Sequence, residues 1–238
     1  FSGIFKEIKE RYYEIIRGLK LELSLEEEFA QIEKDFQAQA GTEYAASRGE
    51  FLNGKIMGAY LGYEFVDAAS VIRFDKNGVF DPEKTDKLLG KRLGKCANAV
   101  IPGFYGAMED GTVKTFSRGG SDVTGSLVAK AVQADIYENW TDVSGFLVTD
   151  PRIVENPGVI ETITYRELRE LSYMGATVLH EEAIFPVRQR NLYCGKYLSQ
   201  TKICDYGNCR KERLLFYQYR KIHDEQRGWF WKKGSSGI

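Results

Sequence analysis

The sequence predicts an α/β domain, and three features predict it. Helical periodicity recurs, first at Phe5, Ile8, Tyr12, Ile15, Ile16 and Leu19, then at Phe29, Ile32 and Phe36. Short apolar runs of strand length, at 97–101 and 135–140, empty into glycine-bearing turns, Pro102-Gly103-Phe104-Tyr105-Gly106 and Thr141-Asp142-Val143-Ser144-Gly145. Between them, Arg118-Gly119-Gly120-Ser121-Asp122 opens directly onto a helical pattern of Val123, Leu127, Val128, Ala131 and Val132. Ligands in open α/β sheets collect at the carboxyl ends of strands, which places a site at these turns.

In chain order, a first helix is under way by Phe5. Ser24 with Glu27 forms a capping box that starts a second, with Gly41 as its stop. A third, over 42–60, is crowded with small residues (Ala45, Ala46, Gly49, Gly54, Gly58, Ala59) that let it lie close against a neighbour. Strands are expected at 63–68 and 71–74, a helix at 81–95, a strand at 97–101, and a hairpin at 108–115 turning on Asp110-Gly111. Ser121 or Asp122 is placed to cap the next helix, and 135–140 reads as a short buried strand. Thr164 with Glu167 is a further capping box, opening a helix whose Leu168, Leu171 and Val178 face inward.

Composition bounds the rest. At 238 residues, 43% hydrophobic and a net charge of -1, the chain buries one sizeable core. No apolar run is long enough to span a bilayer, and the first residues lack the layout of a secretory signal. Near-neutral charge argues against nucleic acid as the main partner. Four cysteines (Cys96, Cys194, Cys204, Cys209) suit a reducing cytoplasm. The charge shifts near Arg188: residues 189–238 hold 11 Lys+Arg against 4 Asp+Glu, and 1–188 hold 22 against 30.

Read from residue chemistry alone, R-G-G-S-D joins a forked cation, two close-approach glycines, a hydroxyl and a carboxylate at a helix N-terminus. That suits a phosphate or a carboxylate, and equally a plain turn. Ser47-Arg48-Gly49-Glu50 reads as a solvated helix face. Phe104, held between glycines, reads as core or loop packing. His180 reads as a packing residue, and Cys204 with Cys209 carries too little spacing information for a metal site.

The combined strings are more specific. F-S-R-G-G-S-D, then W-T-D-V-S-G and T-D-P-R, with A-S-R-G-E-F-L-N-G-K upstream and E-T-I-T-Y-R-E-L-R-E-L-S-Y-M-G-A-T-V-L-H downstream, closely resemble the aspartokinases of the amino acid kinase family. The resemblance runs over about 1–188. It implies the amino acid kinase (carbamate kinase-like) fold, a mainly parallel sheet between helices, and phosphoryl transfer from ATP with Mg²⁺ to L-aspartate, giving 4-phospho-L-aspartate for lysine, threonine and methionine biosynthesis. By resemblance Arg118 clamps a substrate carboxylate, Glu50 takes the ammonium, and Phe104 lines the aspartate pocket. Gly119, Gly120 and Ser121 hold the acceptor, and Asp122, with Arg118, belongs to the catalytic group. Thr141, Asp142, Leu147 and Arg152 contact the nucleotide. A cytoplasmic location and a homo-oligomeric assembly are implied in the same way, without nucleic acid or membrane.

The sequence departs from that pattern in three places. Thr177 stands where some members carry a lysine near the phosphates. The family's first strand and K-F-G-G loop are expected upstream of Phe1, and little or no turnover is expected without that lysine. The stretch 189–238 does not resemble the regulatory ACT domains expected there. It reads as a basic, cysteine-bearing extension or, more sharply, as the product of a frame shift: regrouped codons allow 205–213 to become I-T-G-I-A-G-K-K-G and 217–231 to become I-N-I-E-K-S-M-M-N-R-E-V-G-F-G, which resemble an ACT opening. Such a tail is expected to pack poorly. An inactive fragment, and a kinase of another acceptor such as glutamate, N-acetylglutamate or a nucleotide, are the alternative readings; Glu50 with Arg118 favours a free amino acid.

Overall fold

The computed structural model describes residues 2–117, 119–134, 137–138, 147–149, 153–160, 162–163, 167, 170–171, 193–194, 202–203 and 228–232. Helix α1 (Ser2–Gly18) and helix α2 (Glu26–Gln37) form where the sequence periodicity places them. Phe5, Tyr12 and Ile16 of α1 pack with Phe29 and Ile32 of α2, and with Leu52 and Ile56 of α3 (Thr42–Leu61), in one apolar cluster. Its rings meet edge to face, Phe5 on Phe29 at 6.2 Å and Tyr12 on Phe29 at 6.0 Å, the geometry the ring quadrupoles favour. The expected Ser24–Glu27 capping box does not form. Helix α2 starts at Glu26 after Leu25, and Ser24 Oγ accepts from the Glu26 amide at 3.4 Å. Gly41, expected as a stop, instead precedes α3 with φ 91°.

The small-residue face of α3 lies on strands β1 (Glu64–Phe65) and β2 (Asn98–Pro102), which pair in parallel. A Cβ on Gly54 would fall 2.9 Å from the Phe65 ring, so any larger residue there would have to displace that ring. The strand expected over 63–68 is short because Asp67 turns it: its carboxylate accepts from the Ala69 amide at 3.0 Å and caps the short helix α4 (Ala68–Val71). The expected strand at 71–74 is likewise reduced to single bridges, Arg73 with Ala107 and Phe74 with Phe80.

Helix α5 (Pro82–Leu93) begins with Asp81 accepting from the Lys84 amide and Pro82 in its first turn, both standard start signals. Strands β3 (Tyr105–Ala107) and β4 (Val113–Thr115) form the expected hairpin, antiparallel, around Asp110-Gly111. Helix α6 (Gly120–Ala131) follows and packs with α4, α5, β2 and β3 around a second apolar cluster including Ile72, Leu89, Leu93, Ile101, Tyr105, Leu127 and Val128. Of the expected strand at 135–140, Tyr137 and Glu138 are buried and the other positions lie outside the described residues. Of the helix after Thr164, Glu167, Glu170 and Leu171 are helical and the rest lies outside them.

Later in the chain, β5 (Thr162–Ile163) pairs in parallel with β7 (Lys202–Ile203), which pairs antiparallel with β6 (Tyr193–Cys194). Strand β8 (Gly228–Lys232) pairs antiparallel with the whole of β2, Ala99 opposite Trp231 and Ile101 opposite Trp229. The edge of β2 away from β1 carries backbone donors and acceptors that a strand-forming Trp-Phe-Trp run can satisfy. Among the described residues no helix is long and apolar enough to cross a membrane.

Candidate active site

The loop-to-helix passage is built by glycine. Gly119 sits in the left-handed region at φ 55°, its carbonyl accepts from the Val123 amide at 3.0 Å, and α6 begins at Gly120. The sequence expectation that Ser121 or Asp122 caps this helix is corrected here: the cap position is Gly119, two residues before Ser121, and both side chains lie inside the first turn, buried. The physical reason is that glycine enters the left-handed conformation without steric cost, so the chain turns at Gly119 before a capping side chain is reached. The first-turn amides then have no side-chain cap, and the helix keeps a partially positive end suited to an anion.

Phe104 is held against that end. It carries a positive φ of 63° between β2 and β3, a conformation that costs a residue with a Cβ on the order of 1–2 kcal/mol. Its amide donates to Thr124 Oγ1 at 3.1 Å, and its carbonyl accepts from the Phe116 amide at 2.9 Å. A Cβ on Gly120 would fall 2.9 Å from Phe104 Cα and 2.8 Å from Phe116 Cβ, so the second glycine of R-G-G is what lets α6 meet this loop. The Phe104 ring lies edge-on to Tyr105 at 5.9 Å.

Tyr105 leads to α3. Its hydroxyl donates to Asp67 Oδ1 at 2.8 Å, and it is fully buried. Arg48 and Glu50, which the pattern alone puts on a solvated face, are both buried, at 9% and 1% exposure. The reason is aromatic. The Arg48 guanidinium carbon lies 4.4 Å from the Tyr44 ring centre, 4.7 Å from Phe51 and 5.6 Å from Tyr105, and its Nε and Nη2 donate to Ser47 Oγ at 3.1 and 2.9 Å. Stacking of this kind offsets the loss of water around a cation.

The charge on Glu50 is felt by two phenols. Tyr12, whose hydroxyl donates to the Gly49 carbonyl at 3.2 Å, is pushed up to about 12 by burial and then by Glu50. Burial raises Tyr105 well above the ordinary tyrosine value, Asp67 and Glu50 add to that, and Arg48 works against it. A buried carboxylate on α3 thus lies near the aromatic pair that abuts the electropositive end of α6. One further contact fixes the hairpin: Glu43 accepts from the Thr115 amide at 3.2 Å, its hydroxyl at 3.0 Å and Lys114 Nζ at 2.9 Å.

The structure therefore brings together Phe104, Gly119, Gly120, Ser121 and Asp122 at the start of α6, and Glu50 is buried on α3, where its charge acts on Tyr105. Leu147 is half-buried and bridges Val159 in a separate hairpin, and no described contact links it to that group. Arg118, Thr141, Asp142 and Arg152 lie outside the described residues, as do Thr177, His180, Cys204 and Cys209. Sequence reasoning missed Arg48, Tyr105 and Thr124. For Arg48 a signal existed: Tyr44, Arg48 and Phe51 at i, i+4 and i+7 share one helix face.

Residues 7–194 match the amino acid kinase family, and the chain belongs to that family. Aspartokinase 3 of Bacillus subtilis (strain 168) is 40% identical over 195 residues, covering 75% of this chain and 42% of that protein. Among solved structures, the aspartate kinase of Clostridium acetobutylicum, described as an allosteric enzyme, superposes with a TM-score of 0.79 at 53% identity, over 86% of this chain and 48% of that one. E. coli aspartokinase III in complex with aspartate and ADP shares the fold at a TM-score of 0.71 and 19% identity, over 98% of this chain and 66% of that one. The chain spans less than half the length of the curated aspartokinases it matches, 42% in the B. subtilis case.

Proposed function

We propose that this chain forms the catalytic domain, over about 1–188, of a cytoplasmic ATP-dependent aspartate kinase that makes 4-phospho-L-aspartate at the start of lysine, threonine and methionine biosynthesis. One observation carries the reading: Phe104 packs tightly against a helix end that has no side-chain cap, and its neighbour Tyr105 responds to a fully buried carboxylate, Glu50. A free amino acid has the matching charges, an ammonium for the first and a carboxylate for the second. The 40% identity to an aspartokinase supports the same acceptor.

Phosphoryl transfer asks little covalent help from a protein and much positioning and charge neutralisation. In this reading Glu50 accepts the ammonium, Phe104 packs on the acceptor's carbon chain, and Arg118 clamps the α-carboxylate in bidentate fashion. Ser121 and the amides at Gly119 and Gly120 hold the acceptor so that a side-chain carboxylate oxygen faces the γ-phosphorus in line with the departing ADP. Asp122, buried in the first turn of α6, orders the site. Thr141, Asp142, Leu147 and Arg152 are assigned to the nucleotide. Mg²⁺ would arrive on the phosphate oxygens of ATP, and the nearby oxygen donors, Ser121 and Asp122, suit such a hard ion. The stretch 189–238 is read as lying outside the kinase domain, consistent with a family match that stops at 194, and assembly as a homo-oligomer belongs to the same reading.

Titration calorimetry with L-aspartate, L-glutamate and N-acetyl-L-glutamate tests the acceptor. Binding of aspartate at least about tenfold tighter than the others is expected, a 1.4 kcal/mol preference. Preference for the N-acetylated ligand would overturn the role given to Glu50.

A further inference from the structure

We propose that Thr124 is a positioning residue: it never touches the acceptor, but its hydroxyl sets the Phe104 ring against the N-terminal turn of α6 and so governs acceptor affinity. The inference rests on the reading of Phe104 and α6 as the acceptor pocket.

Thr124 lies one turn into α6, fully buried. Its Oγ1 makes two bonds. It donates to the Gly120 carbonyl at 2.8 Å and accepts from the Phe104 amide at 3.1 Å. The hydroxyl proton is committed to Gly120, which leaves a lone pair facing Phe104. One atom therefore ties the first residue of the helix to the residue in positive φ.

The tie matters because Phe104 has an alternative. At φ 63° a phenylalanine is strained, and relaxing to negative φ would swing both its ring and its amide. Three constraints oppose that: the Thr124 bond on its amide, the Phe116 amide on its carbonyl, and the tight fit of Gly120 against its Cα. Of these, only Thr124 acts through a side chain, so it can be removed by mutation without altering backbone.

Thr124→Val replaces the hydroxyl by a methyl of similar shape and leaves the part-buried Phe104 amide without its acceptor. Thr124→Ser keeps the hydroxyl and drops the methyl. For wild type, Thr124→Val and Thr124→Ser, affinities for L-aspartate and for ATP are measured by calorimetry, and melting temperatures alongside. Thr124→Val is expected to weaken aspartate about tenfold, the effect of one buried hydrogen bond, while ATP affinity stays within about twofold. Thr124→Ser is expected to restore aspartate affinity to within about threefold of wild type. Should Thr124→Val not fold, Thr124→Ala supplies the same comparison.

Equal loss of both ligands, or a Thr124→Ser variant as impaired as Thr124→Val, would overturn the proposal, since either marks a packing role. Unchanged aspartate binding in Thr124→Val beside weakened binding in Phe104→Ala would overturn it while leaving the acceptor pocket intact. A wild-type chain that binds ATP but no aspartate would instead bring down the acceptor reading, and this inference with it.

Discussion

Gly120 and Phe104 are in contact so close that no side chain fits between them: a Cβ on Gly120 would lie 2.9 Å from both Cα and Cβ of Phe104. The neighbour it would meet is backbone, which cannot swing away as a flexible side chain can. Gly120→Ala should therefore destabilise the domain by about 1–3 kcal/mol, the usual cost of overpacking. A urea midpoint unchanged from wild type would show that the loop yields freely.

Glu50→Gln is expected to raise the KM for aspartate by about 10- to 100-fold, the loss of a charge-assisted bond to an ammonium, with KM for ATP unchanged. Steady-state kinetics with each substrate varied in turn, in a chimera that supplies the family's K-F-G-G loop, would check this. An unaltered aspartate KM would remove Glu50 from the site.

Arg48→Met tests the aromatic cage. Methionine keeps the length and apolar stem but loses stacking on Tyr44, Phe51 and Tyr105, so a loss of about 1–2 kcal/mol is expected. It also removes the cation that holds Tyr105 back from a still higher titration. Denaturation of the variant at or above the wild-type midpoint would mean the buried cation costs as much as its stacking returns.

The hairpin clamp predicts a pH dependence. Burial works to raise Glu43, but bonds from Lys114 and from the amide and hydroxyl of Thr115 outweigh it and hold the carboxyl below its ordinary 4.5. A depressed folded-state value stabilises the fold above the unfolded value and ceases to as the pH falls through the folded one. Glu43→Gln should thus cost about 0.5–1 kcal/mol at neutral pH, a figure already reduced for the exposure of this pair. The difference from wild type should shrink below about pH 4.5 and vanish at lower pH. A difference constant with pH would show that charge plays no part.

The sequence placed α1, α3, α5, the β3–β4 hairpin and α6 because each carries a local signal: periodicity, an Asp-Pro start, an Asp-Gly turn. What it could not show arises from contacts between distant segments. The positive φ of Phe104 is imposed by Thr124 and Phe116, which follow it by 20 and 12 positions, and nothing local announces it. The burial of Glu50 falls where distant residues meet α3, Tyr12 bonding to the Gly49 carbonyl beside it and the Tyr105 ring lying against Arg48. The strand at 63–68 was overread because Asp67 had a second use, capping α4 while receiving the Tyr105 hydroxyl. Resemblance named Glu50 and Phe104 where periodicity alone favoured a surface pair and core packing. Arg48 was legible in principle, through the ring spacing on its own helix.

The proposed phosphorylation of aspartate can be tested directly in the scaffold of a relative. Because the chain is 53% identical to the C. acetobutylicum aspartate kinase across 86% of its own length, residues 7–188 can replace the matching stretch of that enzyme. Aspartyl phosphate is then trapped as the hydroxamate with ATP, Mg²⁺ and L-aspartate. The account predicts hydroxamate from aspartate, none from N-acetyl-L-glutamate, and a sharp loss in the Glu50→Gln version. A folded chimera that forms no aspartyl hydroxamate, or forms it equally well without Glu50, would contradict it.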